Sequence, residues 1–559
     1  VEEGMSLGAD WSRRSVLAGA GAFAAGGVKA AEAPGLILHG GPIHTGLPRR
    51  GPAQAVLIKG DRIAFVGGLT EAKARGAGAK LIDVGGAAIF PGFVDSHCHL
   101  TELGLLTFQL NLGGTASIAE LKHRLAAWAA AHPAGPITGA SWIETHWPEG
   151  RFPTREDLDD VVADRPVVLT RADGHAQVAN SKMLELAGIT ASTPDPAGGR
   201  ILKDKAGRPT GMIIDNAMAL IERRLPGPTI AMKAQALEAA LKLYASRGWT
   251  GGHFMSAGND DLIILRRLAS QGRAPIRVDL YLDVNQAGDV LAHGPRSDAE
   301  DRIRARGVKI YMDGALGSRG AALLAPYSDA PETRGLLRSD HDTTLPILKQ
   351  ALASGAQVAT HAIGDRGNRL ILDWYQEAFG GHAPKVSPRW RVEHAQLLSP
   401  QDLPRFAKLG VIASMQPSHA IGDLYFAPKR LGEARLKEGY AWRSLLKSGA
   451  VVTGGTDAPV EKGDPLIEFY AAAYRHALNG FAGPDWHLEE AVTRDQALHM
   501  FTAAPAYAGF REREMGVIAP GRRADLTAFS TDLMRAPFAE IPKAHATLTM
   551  VAGQVVHQV

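Results

Sequence analysis

The chain has 559 residues with 61 Lys and Arg against 58 Asp and Glu, a net charge of +3, and is 45% hydrophobic and 21% charged. At roughly 150 residues per domain, this length suits about three to four domains, or one large barrel with a companion domain. The composition excludes a disordered tail, a collagen, a coiled coil and a polytopic membrane protein; the near-neutral balance gives no reason to expect nucleic acid as a partner, and the single cysteine, Cys98, excludes an intramolecular disulfide.

Ser12-Arg13-Arg14-Ser15-Val16-Leu17 opens with paired arginines, and a small-residue apolar stretch runs from Val16 to Val28 before Lys29-Ala30-Ala31-Glu32-Ala33. That stretch falls short of the roughly 18–20 residues that span a bilayer. Residues 1–33 resemble a bacterial twin-arginine export signal, cleaved after Ala30 or Ala33; the alternative is an N-terminus with a chance arginine pair. The signal reading makes the export machinery a partner and the mature chain soluble and periplasmic. No later segment is apolar and long enough for a stable membrane anchor.

Leu36-Ile37-Leu38-His39-Gly40-Gly41 and the run from Ala55 to Gly67 read as short strands, with Gly60-Asp61 as a hairpin turn. Strand material returns at Gly516-Val517-Ile518, from Ala524 to Phe529 and from Leu548 to Val556. Strands at both ends predict one small β-sandwich composed of 34–90 and 510–559. Between them, 91–509 alternates apolar strands with helical stretches, Leu237 to Ser246 and Ile347 to Ala353 being the cleanest, as parallel βα units do. No repeat of roughly 20–50 residues is visible, which argues against a solenoid or propeller.

Within Ile89-Phe90-Pro91-Gly92-Phe93-Val94-Asp95-Ser96-His97-Cys98-His99-Leu100, His97 and His99 stand two residues apart on a strand and share a face. They can offer two imidazoles to one ion, a ligand type that suits zinc and its neighbours. Cys98 points the other way and reads as a small packed residue. Further candidates end later apolar strands: His361 after Gln357-Val358-Ala359-Thr360, His394 after Arg391-Val392-Glu393, and Asp457 after Val451-Val452-Thr453-Gly454-Gly455-Thr456. In an α/β (β/α)₈ TIM-type barrel, strand ends converge on the active site, so these five residues would meet.

At this point the chain resembles the amidohydrolase superfamily of metal-dependent hydrolases, in particular amidohydrolase family 3. The resemblance spans nearly all of the chain after the signal. It rests on the Pro91-Gly92-Phe93-Val94-Asp95-Ser96-His97-Cys98-His99 run, Asp173-Gly174-His175 with Asn180-Ser181, and Gly307-Val308-Lys309-Ile310-Tyr311-Met312-Asp313-Gly314. It continues through His361-Ala362-Ile363-Gly364-Asp365, Glu393-His394-Ala395, Gly455-Thr456-Asp457-Ala458-Pro459 and the stretch from Gly516 to Leu526. These motifs follow the order of barrel strand ends one, four, five, six and eight.

The resemblance implies that His97 and His99 hold the more buried of two Zn²⁺-class divalent ions, with Asp457 as a further ligand. His361 and His394 would hold the second. Lys309 would bridge them as a carbamate formed with carbon dioxide, because a bare ammonium has no lone pair to donate; the alternative is an unmodified lysine in a buried ion pair. Asp457 would take the proton of the attacking metal-activated hydroxide and deliver it to the leaving amine. His175 would donate to the oxyanion or orient substrate, or else be a structural loop histidine.

Residues 100–235 exceed one βα unit and would form an insertion over the barrel mouth, which places strand two near Trp249 to Met255 and strand three near Ile276 to Leu282. Where the family often reads Gly-Trp-Asp, this chain has Trp142-Ile143-Glu144; Asp215 stands where relatives often carry Glu. Trp142 and Trp147 are either pocket walls or core, and Arg319 either holds a substrate carboxylate or is structural. The expected substrate is a small non-peptide amide of the N-acyl or N-formyl amine type. The competing readings are an ester, carbamate or phosphotriester at the same site, and a non-catalytic exported metal-binding or regulatory protein. A homo-oligomer is compatible with the sequence.

Overall fold

In the computed structural model, which describes residues 35–48, 51–298, 300–483 and 486–559, eight parallel strands follow one another around a barrel. Residues 1–33, which the sequence reading takes as an export signal, lie outside the described residues. The strands are β1 (Phe93–Cys98), β2 (Trp249–Ala257), β3 (Arg277–Asp283), β4 (Ile303–Tyr311), β5 (Gln357–Ala362), β6 (Arg391–His394), β7 (Ile412–Met415) and β8 (Val452–Gly454). Each pairs with its chain neighbour in order. Nearly every position is buried on both faces, as a parallel sheet clothed by helices requires.

The last seam, between β8 and β1, is closed just beyond the strands. Asp457 donates its N–H to the His97 carbonyl at 2.7 Å and His99 donates to the Ala458 carbonyl at 2.8 Å. Asp95 clasps the same seam from inside. Its carboxylate accepts from the N–H of His97 at 3.0 Å, the N–H of Thr456 at 2.9 Å, the Thr456 hydroxyl at 2.6 Å and Tyr244 Oη at 2.9 Å. Two ligand-bearing segments more than 350 positions apart are thereby stitched together.

Between β1 and β2 the chain builds a second, six-stranded sheet in the order Gly199–Lys203, Pro209–Asp215, Ala176–Ala179, Val167–Arg171, Ile137–Trp142, Leu110–Asn111. It has its own core of Leu110, Leu121, Leu125, Trp142, Trp147, Leu169 and Met212. The expected helix from Leu237 is the centre of Ile230–Arg247, capped by the Thr229 hydroxyl accepting from Met232 N–H and ended by Gly248 at φ +102°.

The two chain ends meet in a single hydrogen-bonded sheet. The reason is the strand Leu36–Ile43. Its first half lies between Ala53–Lys59 and Lys80–Asp83, while Ile43 pairs with Ala88–Pro91, which in turn pairs with Leu526–Phe529. Leu38, Val56 and Ile58 from one end share a core with Leu526, Ala528 and Met550 from the other.

This sheet is tied to the barrel by a buried pair. Arg277 at the start of β3 donates to Asp525 at 2.8 and 3.3 Å, and Asp525 also accepts the N–H of Ala552 at 2.7 Å. Burial opposes ionisation of Asp525, yet Arg277 holds its pKa below the ordinary value of 3.8. The pair's contribution is therefore complete above that value and is lost as pH falls through the depressed native one. Asp525→Ala leaves a buried guanidinium without its carboxylate and is expected to destabilise the fold by about 3–5 kcal/mol in denaturant unfolding. A loss within experimental error would show that the tie is dispensable.

Candidate metal centre

The carboxyl ends of the barrel strands carry the ligand-type side chains, and Asp457 lies at their centre. Asp457 Oδ1 is 3.0 Å from His99 Nε2 and 3.3 Å from His97 Nε2; Oδ2 is 3.6 Å from His419 Nε2 and 4.0 Å from His394 Nδ1. The His97 and His394 rings are 4.8 Å apart and those of His361 and His394 4.5 Å. Lys309 Nζ stands 3.3 Å from His97 Nε2. Asp457 and His394 both hold left-handed backbone, at φ +59° and +72°. Non-glycine residues do so at a cost of about 1–3 kcal/mol each, which the surrounding packing sustains.

Hydrogen bonds behind the imidazoles decide which nitrogen faces the centre. His97 Nδ1 donates to Glu393 Oε2 at 2.7 Å, and Glu393 is fixed by two bonds from Arg391 at 2.7 and 3.0 Å. His97 Nε2 therefore carries a lone pair toward Asp457. His394 Nδ1 donates to Gln416 Oε1 at 2.8 Å. His361 Nε2 faces two acceptors, Asp313 Oδ1 and the Gly314 carbonyl, each at 3.5 Å, so its Nδ1 is the lone-pair nitrogen.

Burial pushes the pKa of His97, His361 and His394 down, with Lys309 adding to the effect on His97 and His394 adding to that on His361. These rings are neutral, as ligands must be. Burial opposes charge on Asp457 too, but positive charge on the neighbouring histidines, His97 first, would hold it well below the usual carboxylate range, a role that falls to a bound cation when the rings are neutral. Burial lowers Lys309 to about 8.

An ionised oxygen beside a lone-pair nitrogen is a repulsive contact unless a cation joins them. Asp457 Oδ1 is buried and has no hydrogen-bond partner. His97, His99 and Asp457 thus fit one divalent ion, and their ligand atoms form one compact group. A second group that could hold an ion is His394, His419 and Asp457, whereas the sequence reading pairs His394 with His361 and Lys309. His419 was missed. Its signal was present in Met415-Gln416-Pro417-Ser418-His419, directly after an apolar strand. Pro417 opens the short helix Pro417–Asp423, and the N–H of Ser418 is held by Glu468 Oε2 at 3.0 Å, which turns His419 inward.

His175 comes to the centre from the insertion. Its ring is 4.9 Å from His361, and its Nδ1 donates to Asp215 Oδ1 at 2.6 Å. Two other expected residues do not reach the site. Trp142 is wholly buried in the insertion's core, donating its indole N–H to the Leu169 carbonyl at 2.8 Å and packing beside Trp147; apolar area took it inward. Arg319 is paired with Asp329 at 2.9 Å, and Arg430 shares that carboxylate. Arg338 is the unpaired guanidinium on that side: it donates from Nε to Asn216 Oδ1 at 2.9 Å and stacks on Tyr311 at 4.8 Å, with no carboxylate partner among the described residues. Cys98 is buried, with Sγ turned to the His253 carbonyl at 3.5 Å.

Glu393 makes a checkable claim. Glu393→Gln can present a donor to His97 Nδ1 and so favour the wrong tautomer; the affinity for zinc is expected to fall about 10–100-fold. Titration of metal-free protein reads this directly, and an unchanged affinity would remove Glu393 from the account.

A sequence model described as amidohydrolase family matches residues 80–557. YtcJ of Bacillus subtilis (strain 168) is 32% identical over 530 residues, 93% of this chain and 99% of that protein. The N-substituted formamide deformylase of Arthrobacter pascens is 29% identical over 532 residues, 90% of this chain and 95% of its own. Among solved structures, an uncharacterised metal-dependent hydrolase from Pyrococcus horikoshii OT3 superposes with a TM-score of 0.73 at 28% identity, covering 90% of this chain and 99% of that one.

Proposed function

The chain belongs to the amidohydrolase family, and on that premise we propose that it hydrolyses the C–N bond of a non-peptide amide of the N-acyl or N-formyl amine type. The observation that carries the reading is the convergence of His97 Nε2 and His99 Nε2 on an Asp457 oxygen that has no hydrogen-bond donor. A zinc-class ion held there supplies a Lewis acid and acidifies water to a pKa of about 7. His97, His99 and Asp457 would hold one ion, and His361, His394 and a carbamate of Lys309 the other.

Lys309 suits that modification because burial lowers it to about 8, leaving part of the amine neutral near pH 7. The neutral nitrogen forms a bond to the carbon of carbon dioxide and releases one proton, giving an anionic carbamate.

Asp457, held ionised and aimed at the centre, takes a proton from the attacking water and returns it to the departing nitrogen. Amide and water become carboxylic acid and amine, the acid then passing its proton to the amine or to solvent, and the aspartate ends as it began. Two histidines can steady the carbonyl oxygen as charge builds on it. His419 turns Nδ1 to the Gln396 amide at 3.5 Å, so its Nε2 carries the hydrogen in the neutral ring. His175, whose Nδ1 hydrogen is committed to Asp215, donates from Nε2 only as the imidazolium.

The test is a set of paired amides and esters with identical flanking groups, turned over by zinc-loaded protein. Amide hydrolysis is expected. Turnover of the esters alone would move the reading to an esterase, and turnover of neither with metal bound would favour the non-catalytic alternative. The paired arginines Arg13 and Arg14 support a periplasmic destination by twin-arginine export, which a reporter fused behind residues 1–33 reads by its compartment.

A further inference from the structure

The wall beside Asp457 formed by the β7 and β8 loops is acidic and incompletely satisfied. Glu461 is half-buried and makes no hydrogen bond or ion pair among the described residues. Its carboxylate lies against Gly422, where an added methyl would stand 3.7 Å from Oε1. The next residue, Asp423, accepts from the Tyr440 hydroxyl and from Gln396 Nε2 at 3.2 Å. Gln396 is only 3% exposed, and with its nitrogen committed to Asp423 and His419 its Oε1 has no donor. His419, 7% exposed, likewise leaves Nε2 unpartnered at the edge of the same space.

No basic side chain forms an ion pair with Glu461 or Asp423 among the described residues. The charges acting on Glu461 are His419, Asp423, Asp457 and Lys462, and Lys462 is exposed. Arg171, which acts on Asp423, already pairs with Glu144 at 2.8 Å and with Asp173. Burial raises Glu461 to about 7 and Asp423 above its ordinary value, and a bound cation favours the ionised forms, in which the two neighbouring carboxylates and the buried carboxamide oxygen are all acceptors. A ligand with several N–H donors and a positive charge satisfies the three together, whereas a neutral or anionic group leaves them unpaired.

We propose that Glu461, Asp423 and Gln396 form the subsite for a positively charged nitrogen group on the substrate, a primary ammonium or a guanidinium, so that the preferred amides carry a basic substituent. The assignment rests on the hydrolase reading above. It places the reacting carbonyl over Asp457 and the cation toward Glu461.

The test uses zinc-loaded full-length protein and three N-formyl alkylamines of equal chain length, ending in an ammonium, a methyl or a carboxylate group, with the matching formate esters run in parallel. The ammonium compound is expected to exceed the methyl compound in kcat/KM by about tenfold or more, an ordinary yield for one partly exposed charge pair. Glu461→Gln is expected to collapse that ratio toward one, and Glu461→Asp to retain part of it. Equal or higher kcat/KM for the methyl compound would overturn the proposal, as would a ratio unchanged in Glu461→Gln. Preference for the carboxylate would overturn it in favour of Arg338 as an anion anchor. If only esters react, the amide reading fails while their charge ratio still judges the subsite. If neither reacts, equilibrium binding of the three formamides to the same protein reads the ratio without turnover.

Discussion

Asp457→Asn is expected to lower kcat by at least about 10³-fold, the scale of a lost general acid–base group, while leaving the fold in place. The substitution preserves volume, so the packing around the end of β8 is kept. It exchanges one carboxylate oxygen for an amide nitrogen and removes the negative charge. With the nitrogen toward His97, a donor meets the lone pair that His97 Nε2 presents at 3.3 Å; with it toward His419, the proton acceptor there is gone. Either orientation leaves no group able to accept a proton from water and hand it to a departing amine. Circular dichroism and metal content measured beside kcat separate this loss from unfolding and from simple loss of the ion. Full activity in the variant would sink the proton-transfer role.

Removal of metal is expected to abolish turnover, and readdition of a zinc-class ion to restore it. The metal-free site is also a structural liability, because Asp457 Oδ1 then has no donor and faces the acceptor nitrogen of His97. Thermal melts should therefore rise on loading: binding at a thousandfold over Kd stabilises the folded state by about 4 kcal/mol. Stoichiometry carries further information. Two ions per chain, with the mass of one carbon dioxide on Lys309 under non-denaturing conditions, would support the bridged pair. One ion with a bare lysine would assign the chemistry to His97, His99 and Asp457 alone. No ion bound after reconstitution would overturn the hydrolase reading.

Much of the centre was legible in the chain because strand ends leave a local mark. His97 and His99 stand at the spacing that puts two side chains on one face, and His361, His394 and Asp457 each end an apolar run. Glu393 was visible beside His394, but its bond to His97 Nδ1 joins β6 to β1 and has no signature in local spacing. His419 lies one helical turn past the end of β7, so its inward direction depends on Pro417 and on Glu468 from a distant helix. The sequence leaves Trp142 open between pocket wall and core. The structure takes it into the core, where Leu125 and Leu169 share its buried apolar cluster within the insertion itself.

Sequence alone determined the parallel βα architecture and which residue types stand at the strand ends, because periodicity and strand punctuation are set by near neighbours along the chain. Only the tertiary structure decided which of those residues share a centre, which ring nitrogen each presents and which charges remain unpaired. Those are properties of contacts such as His97 with Glu393, Arg319 with Asp329 and Gln396 with Asp423, whose partners come from separate strands and loops. The difference between Arg319, silenced by a carboxylate, and Glu461, left without a cation, arises only when the barrel closes and sets each charge among its neighbours.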